Sequence, residues 1–310
     1  MFIMNILNSQ ILTTFSIILA ILAFAYFFIK HLQKKQNKPF TELYNRTISW
    51  IYMIGFFIVG VYINNTLAII FFAMLSFLAL KEYFTLIPTR HTDRRIMFYG
   101  YIVIAFQYYF AYIQWYEMFI ICIPVYLYLL LPFRQMLIGQ TDGFINNTSK
   151  VQWGVMLFVF CISHMAFLFF LPNIEVVSGA MMVLYLVFLT QFNDILQYVF
   201  GKRFGKNKII PKVSPNKTVE GFSGAVITTT ILAVIFSYLT PFTVIEAIGA
   251  GLIISIGGFI GDVVVSMIKR DVGVKDAGNL IAGHGGIIDR IDSLTYTTPL
   301  FFHYVYYLYY

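Results

Sequence analysis

Long apolar runs, broken at intervals by short polar stretches, constrain this chain more than any other feature. A helix that crosses a bilayer needs about 20 predominantly apolar residues, and about ten runs approach or exceed that length, at 11–30, 48–64, 66–87, 96–114, 117–134, 152–171, 177–200, 222–240, 242–268 and 293–310. The second is short and the last is very aromatic. Lipid offers the backbone no hydrogen-bond partners, so these runs are expected to be helices rather than open strands. Composition agrees: of 310 residues, 59% are hydrophobic and 11% charged, against about 25% charged in an ordinary soluble domain. A water-soluble globule of this length cannot bury so much apolar surface, and the same proportions exclude disordered, collagen-like and coiled-coil chains. The expected fold class is an all-α polytopic integral membrane protein.

The lysines and arginines test this frame. After the first run come Lys30, Lys34, Lys35, Lys38 and Arg46; after the third, Lys81, Arg90, Arg94 and Arg95; after the fifth, Arg134 and Lys150. The seventh is followed by Lys202, Arg203, Lys206, Lys208, Lys212 and Lys217, and the ninth by Lys269, Arg270, Lys275 and Arg290. Those are all 21 basic residues, and the intervening loops hold none. A miscounted helix would scatter them. The positive-inside rule then places the five basic loops in the cytoplasm and both termini on the non-cytoplasmic side. The net charge of +7 therefore faces the anionic inner leaflet and cytoplasmic phosphate compounds, and no nucleic-acid partner is expected. The expected location is a bacterial inner membrane.

Other features receive structural readings. Ala23-Phe24-Ala25 has a small-x-small pattern, but without a basic segment before it the first run is expected to be an uncleaved helix. Cys122 and Cys161 are expected to be small buried hydrophobes, His164 to be satisfied by a neighbour, and His303 to Tyr310 to form an interfacial aromatic belt. No internal repeat is visible. Organisation changes near residue 190, which divides the chain into a scaffold of transmembrane helices (1–180) and a catalytic transmembrane region with a cytoplasmic-face site (181–310).

In the ninth run Gly251, Ser255, Gly258, Asp262, Ser266 and Lys269 share one helical face. The small residues permit a close neighbour, and a carboxylate inside a membrane helix is costly and commonly marks a site; the structural alternative for Asp262 is pairing with a neighbour such as Lys269. Beyond it, Lys275, Asp276 and Gly278 precede Gly283-His284-Gly285-Gly286, Asp289, Arg290 and Asp292. Glycines let backbone amides approach phosphate oxygens. Asp289 and Asp292 are hard oxygen donors suited to Mg²⁺, and would share a face if the tenth helix starts early. His284 could donate to a phosphate, shuttle a proton, or merely shape the turn. Lys217 and Thr218 stand just ahead of the eighth run, where a helix N-terminus favours anions. Asn193, Asp194, Gln197 and Tyr198 form a polar cluster in the seventh run, readable as a packing network or as part of a site.

The pattern Ser266-x-x-Lys269-Arg270-x₄-Lys275-Asp276-x-Gly278-x₄-Gly283-His284-Gly285-Gly286-x-x-Asp289-Arg290-x-Asp292-Ser293, together with Ser214-Pro215-x-Lys217-Thr218-x-Glu220-Gly221, closely resembles the signature of the phosphatidate cytidylyltransferases, the CDP-diacylglycerol synthases. The resemblance covers residues 190–293, with an altered Asp-containing element around Asp194. It implies the reaction CTP + phosphatidate → CDP-diacylglycerol + diphosphate with Mg²⁺, and a second cation, divalent or K⁺. It further implies that Asp262 and Asp289 hold the cations with Asp292 close by, and that Lys217, Lys269, Arg270 and Arg290 neutralise phosphates. Ser214 and Thr218 would help bind them. Catalytic roles would fall to Asp262, Asp289, Lys217 and His284. Substrate would be contacted by Ser214, Lys217, Thr218, Lys269, Arg270, Lys275, Asp276, Gly283, His284, Gly285, Gly286, Arg290 and Asp194. The expected partners are CTP, phosphatidate or a related lipid phosphate, and membrane lipids; a homodimer is compatible with such helices. Two positions depart from the family pattern, Ala282 before Gly283 and Ala225 after Gly224, which leaves an ether-lipid or polyprenyl phosphate open as acceptor. A transporter using Asp194 and Asp262 would show polar groups deep in several helices; here they cluster at one face.

Overall fold

The computed structural model describes residues 64–89, 94–137, 139, 141–172, 177–278 and 285–310, with single positions at 16, 23, 26, 27, 30 and 55. Seven long helices and two shorter ones are formed by these residues: α1 (Asn65–Leu86), α2 (Arg94–Tyr112), α3 (Tyr116–Met136), α4 (Phe144–Phe170), α5 (Gly179–Phe204), α6 (Val219–Leu239), α7 (Val244–Asp271), α8 (Ile288–Ile291) and α9 (Leu294–Tyr309). Among the described residues there is no strand; an isolated antiparallel bridge joins Lys208 and Thr218.

Six of them, α1 and α3 to α7, are long and apolar enough to cross a membrane. They coincide with six of the expected runs, although α4 begins at Phe144, ahead of the expected 152. The runs at 96–114 and 293–310 are also helical, as α2 and α9. α2 is diluted by Arg94, Arg95, Gln107 and five tyrosines, and α9 has 16 residues. Apart from single positions, the runs 11–30 and 48–64 lie outside the described residues.

Local chemistry sets the helix ends. Asn64, Ser178 and Thr218 cap α1, α5 and α6 by accepting from Leu67 N, Met181 N and Gly221 N, which satisfies donors that a helix start leaves open. Thr243 and Glu246 form a reciprocal capping box on α7. This gives Glu246, at the expected outer end, a structural role. Inside α3 a π-helical turn spans Cys122–Leu127, where Pro124 lacks the amide that an α-helix would use.

The helices pack in two groups. α5, α6, α7 and α9 pack on one another, while α1, α2 and α4 form the other group with α3 against α2. α4 joins them by packing on both α5 and α9. The aromatic tail is more than a belt: Tyr306 stacks on Tyr116, and Tyr309 donates to Pro241 O and Glu246 Oε2. Cys122 is buried, and neither cysteine is in a disulfide. His164 is wholly buried, with Nδ1 bonded to Phe160 O.

Candidate active site

The charged residues of the second half converge where α5, α7 and α8 meet the loop ahead of α6. That loop is folded back on itself. Ile209 N donates to Lys217 O and Val219 N to Asn207 O, while Glu220 at the start of α6 accepts from Lys206 N, Asn207 N and Asn207 Nδ2. The result is a short pinned hairpin that carries Lys217 toward α5 and α7. Its ammonium pairs with Asp262 Oδ2, donates to Gln197 Oε1 at 2.7 Å, and lies 5.4 Å from the Phe259 ring centroid. Asp262 thus takes its countercharge from the loop, not from Lys269 on its own helix. Ser266 donates to its other oxygen at 3.3 Å.

Lys269 turns to α8. Its ammonium lies 2.6 Å from Asp289 Oδ1, with both side chains nearly buried. Asp289 Oδ2 accepts two backbone amides, Ala277 N at 2.9 Å and Gly286 N at 3.0 Å. Gly285, with φ at 78°, makes the turn that aims the Gly286 amide at this carboxylate.

A second carboxylate centre lies beside the first. Asp194 on α5, Asp262 on α7 and Asp292 between α8 and α9 are close enough to repel one another. Asp194 Oδ2 accepts from Ser293 Oγ at 2.8 Å, whereas Oδ1 is buried with no hydrogen-bond partner. Burial, followed by the charges of Asp262 and Asp194, pushes the Asp292 carboxyl well above the usual carboxylate range. Close approach of α7 to the start of α9 depends on Gly261, where a Cβ would lie 2.6 Å from Asp292 O. The expected small-residue stripe of α7 does face its neighbours: Gly251 meets Thr230 and Ala233 of α6, and Gly258 meets Asn193 of α5. Asn193 accepts from Thr229 and donates to Ser255 O, so it belongs to packing.

The remaining expected site residues fall around these centres. Arg270 donates to Val213 O and Val274 O, which ties the hairpin to the end of α7. Ser214 lies in the hairpin turn, where its carbonyl accepts from Lys217 N, and Thr218 is buried as the α6 cap. Lys275 and Asp276 are exposed beyond α7. Gly286 abuts Asp289, and the carbonyl of Arg290 accepts from Gln191. Gly283 and His284 lie outside the described residues. Asp289 and Asp292, expected on one face if the last helix starts early, serve different centres: Asp289 pairs with Lys269, whereas Asp292 lies beside Asp194 and Asp262. Tyr198 is exposed rather than part of the polar cluster.

The sequence reading missed Glu82 and gave Ser293 no role of its own. Glu82, near the end of α1, accepts from Ile287 N at 2.8 Å and Ile288 N at 3.2 Å. The signal was available: a carboxylate at the edge of an apolar run.

As placed, no three histidine, cysteine or acidic side chains among the described residues could hold a metal ion, and Asp262 and Asp289 each face a lysine. The donor chemistry nonetheless suits a hard cation, since the second centre supplies only carboxylate and hydroxyl oxygens and one carboxylate oxygen is unpartnered.

Residues 44–308 match the sequence model of the cytidylyltransferase family. The chain is 47% identical over 238 residues to the uncharacterized protein YnbB of Escherichia coli (strain K12), covering 76% of this chain and 78% of that one. It is 38% identical over 159 residues to a phosphatidate cytidylyltransferase of Staphylococcus aureus (strain COL), covering 49% of this chain and 60% of the relative. With a phosphatidate cytidylyltransferase of Bacillus subtilis (strain 168) the identity is 44% over 107 residues, 34% of this chain and 40% of the relative. With a match across most of its length, six helices able to cross a membrane and a charged centre at their ends, the chain belongs to the cytidylyltransferase family and is an integral membrane nucleotidyltransferase.

Proposed function

We propose that the chain joins CTP to phosphatidate, releasing diphosphate and forming CDP-diacylglycerol. The observation that carries this reading is the pair of lysines, Lys217 and Lys269, each set against a carboxylate where α5, α7 and α8 meet; the two named relatives supply the lipid. An oxygen of the lipid phosphate attacks the α-phosphorus of CTP. The new P–O bond forms as the bond from that phosphorus to the oxygen bridging to the β-phosphate breaks, and diphosphate leaves. Both reactants are anions, so the obstacle is charge rather than proton transfer.

The residues answer that obstacle. In this reading Lys217, Lys269 and Arg290 neutralise phosphates, Ser214 and Thr218 help bind them, and His284 donates to one. Arg270 serves by holding the Lys217 hairpin onto α7. Asp194, Asp262 and Asp292, with Asp289 beside them, are the residues that would hold Mg²⁺ and a second cation, divalent or K⁺. Bound there, the cation screens phosphate charge and stabilises the leaving group.

In this reading the frame has about ten transmembrane helices with both termini on the non-cytoplasmic side, and the centre opens to the cytoplasm at a bacterial inner membrane. Residues 1–180 act as scaffold and 181–310 carry the chemistry. Lipid then enters between helices while CTP arrives from water. The homodimer belongs to the same proposal.

The test is purified protein in detergent with labelled CTP, phosphatidate and Mg²⁺, wild type beside Asp289→Asn. Labelled liponucleotide from wild type alone supports the reaction and the centre. Product from both removes Asp289 from the centre, and no product from either turns attention to ether-lipid or polyprenyl phosphates.

A further inference from the structure

Glu82 forms no ion pair with the charged groups described above, although Asp289 and Lys269 lie close enough for their charges to act on it. It comes from α1, in the half of the chain expected to be scaffold, yet its carboxylate reaches the one turn that carries Asp289. Each of its oxygens accepts one backbone amide, Oε2 from Ile287 and Oε1 from Ile288, across 205 and 206 residues of chain. Gly278 runs beside the same carboxylate, where a Cβ would lie 3.3 Å from Glu82 Cδ. Next to it is Gly286, where any Cβ would overlap Glu82 Oε1. A side chain at 286 therefore displaces the carboxylate, and one at 278 crowds it.

The consequence reaches Asp289 through the backbone. Gly286 and Ala277 donate to Asp289 Oδ2, and Gly286 and Ile287 are consecutive residues. The amides of 286, 287 and 288 thus serve two carboxylates in order: the first points to Asp289, the next two to Glu82. A donor row shared in this way has one orientation in which all three are satisfied, and a buried amide left without an acceptor is costly. Glu82 itself does not touch Lys269 or the Asp194–Asp262–Asp292 centre through any hydrogen bond or ion pair among the described residues.

We propose that Glu82 is a positioning residue for the transferase reaction: by holding the amides of Ile287 and Ile288 it fixes the turn that presents Asp289 to Lys269. This rests on the function proposed above. Displacing a reacting group by about 1 Å can cost on the order of a hundredfold in rate, so the expected loss is in kcat, with KM for the lipid little changed because Glu82 acts through the backbone of the turn and not as one of the proposed binding residues.

Glu82→Gln is the discriminating variant. It keeps the size but replaces one acceptor oxygen by an NH₂ group that faces a backbone donor. Two measurements on full-length protein in detergent test it: turnover of CTP and phosphatidate, and hydrogen–deuterium exchange of the amides at 285–291. The expected result is a fall in kcat of roughly tenfold to a hundredfold with faster exchange confined to 285–291. Unchanged exchange in that segment overturns the proposal, as does exchange that accelerates equally in α5 and α7, which would mark a merely structural role. A second variant guards against a misfolded first. Gly286→Ala is expected to reproduce the local exchange in the wild-type background and to add little to Glu82→Ala, since the overlapping carboxylate is then gone; additive effects would also overturn it. If wild type makes no liponucleotide, the function fails, whereas the exchange data still decide whether Glu82 holds the turn.

Discussion

The two carboxylate centres differ in how their charge is met. Asp289 is saturated: one oxygen faces the Lys269 ammonium and the other accepts two backbone amides. The neighbouring centre is starved. Asp194, Asp262 and Asp292 share Lys217 as their one paired ammonium among the described residues, and Asp194 Oδ1 has no partner. The first arrangement stabilises the fold around it, whereas the second sets like charges together, and on the reading proposed above it is the one that gains by holding a cation. In one site, therefore, acids of the same type serve opposite ends.

The sharpest break of that contrast removes Asp289. Asp289→Ala leaves Lys269, 8% exposed, without its ion-pair partner, and breaking a buried pair in this way costs up to about 3–5 kcal/mol; thermal melting in detergent should drop accordingly. Lys269→Ala should cost less, about 1–3 kcal/mol, because the two amides still hold the carboxylate.

The starved centre should behave in the reverse sense. Asp194→Asn removes one of three crowded charges, so its melting temperature should equal or exceed that of wild type while turnover is lost. A marked fall in stability would show that the Asp194 carboxylate, like that of Asp289, also helps to hold the fold. Mg²⁺ without nucleotide sharpens the same comparison. A ligand at 100 times its Kd stabilises by about 2.7 kcal/mol, and the rise in melting temperature should vanish in Asp292→Asn. The smallest effect belongs to the opposite end of α7. Thr243→Ala removes a cap there, which costs about 1 kcal/mol and should leave turnover unchanged.

These centres were partly legible in the sequence. Asp262, Asp289, Asp292, Lys217 and Lys269 were readable because charge is rare in such an apolar chain, so each charged residue stands out. Their pairing was not. Lys269 lies two turns from Asp262 on one helix, but the fold gives Asp262 to Lys217, because the hairpin pinned by Glu220 brings that lysine in from the preceding loop. The satisfaction of Asp289 by the amides of Ala277 and Gly286 has no side-chain signature at all. Glu82 was hidden for another reason: beside Lys81 it looks like rim charge, and only the packing of α1 on α8 makes it part of the site. The helices themselves were readable wherever apolar length exceeded a bilayer's need, and less so in α2, where tyrosines and arginines dilute the signal.

The clasp between Glu82 and residues 287 and 288 also has a temporal side. A chain made from its N-terminus presents α1 long before residues 287 and 288, so the clasp must wait for the 205 residues that separate its two sides. Until then the nascent chain, though largely inserted, has Asp289 without its final support. On the function proposed above, a chain that has not yet reached residue 288 lacks the clasp and works at only a fraction of the final rate.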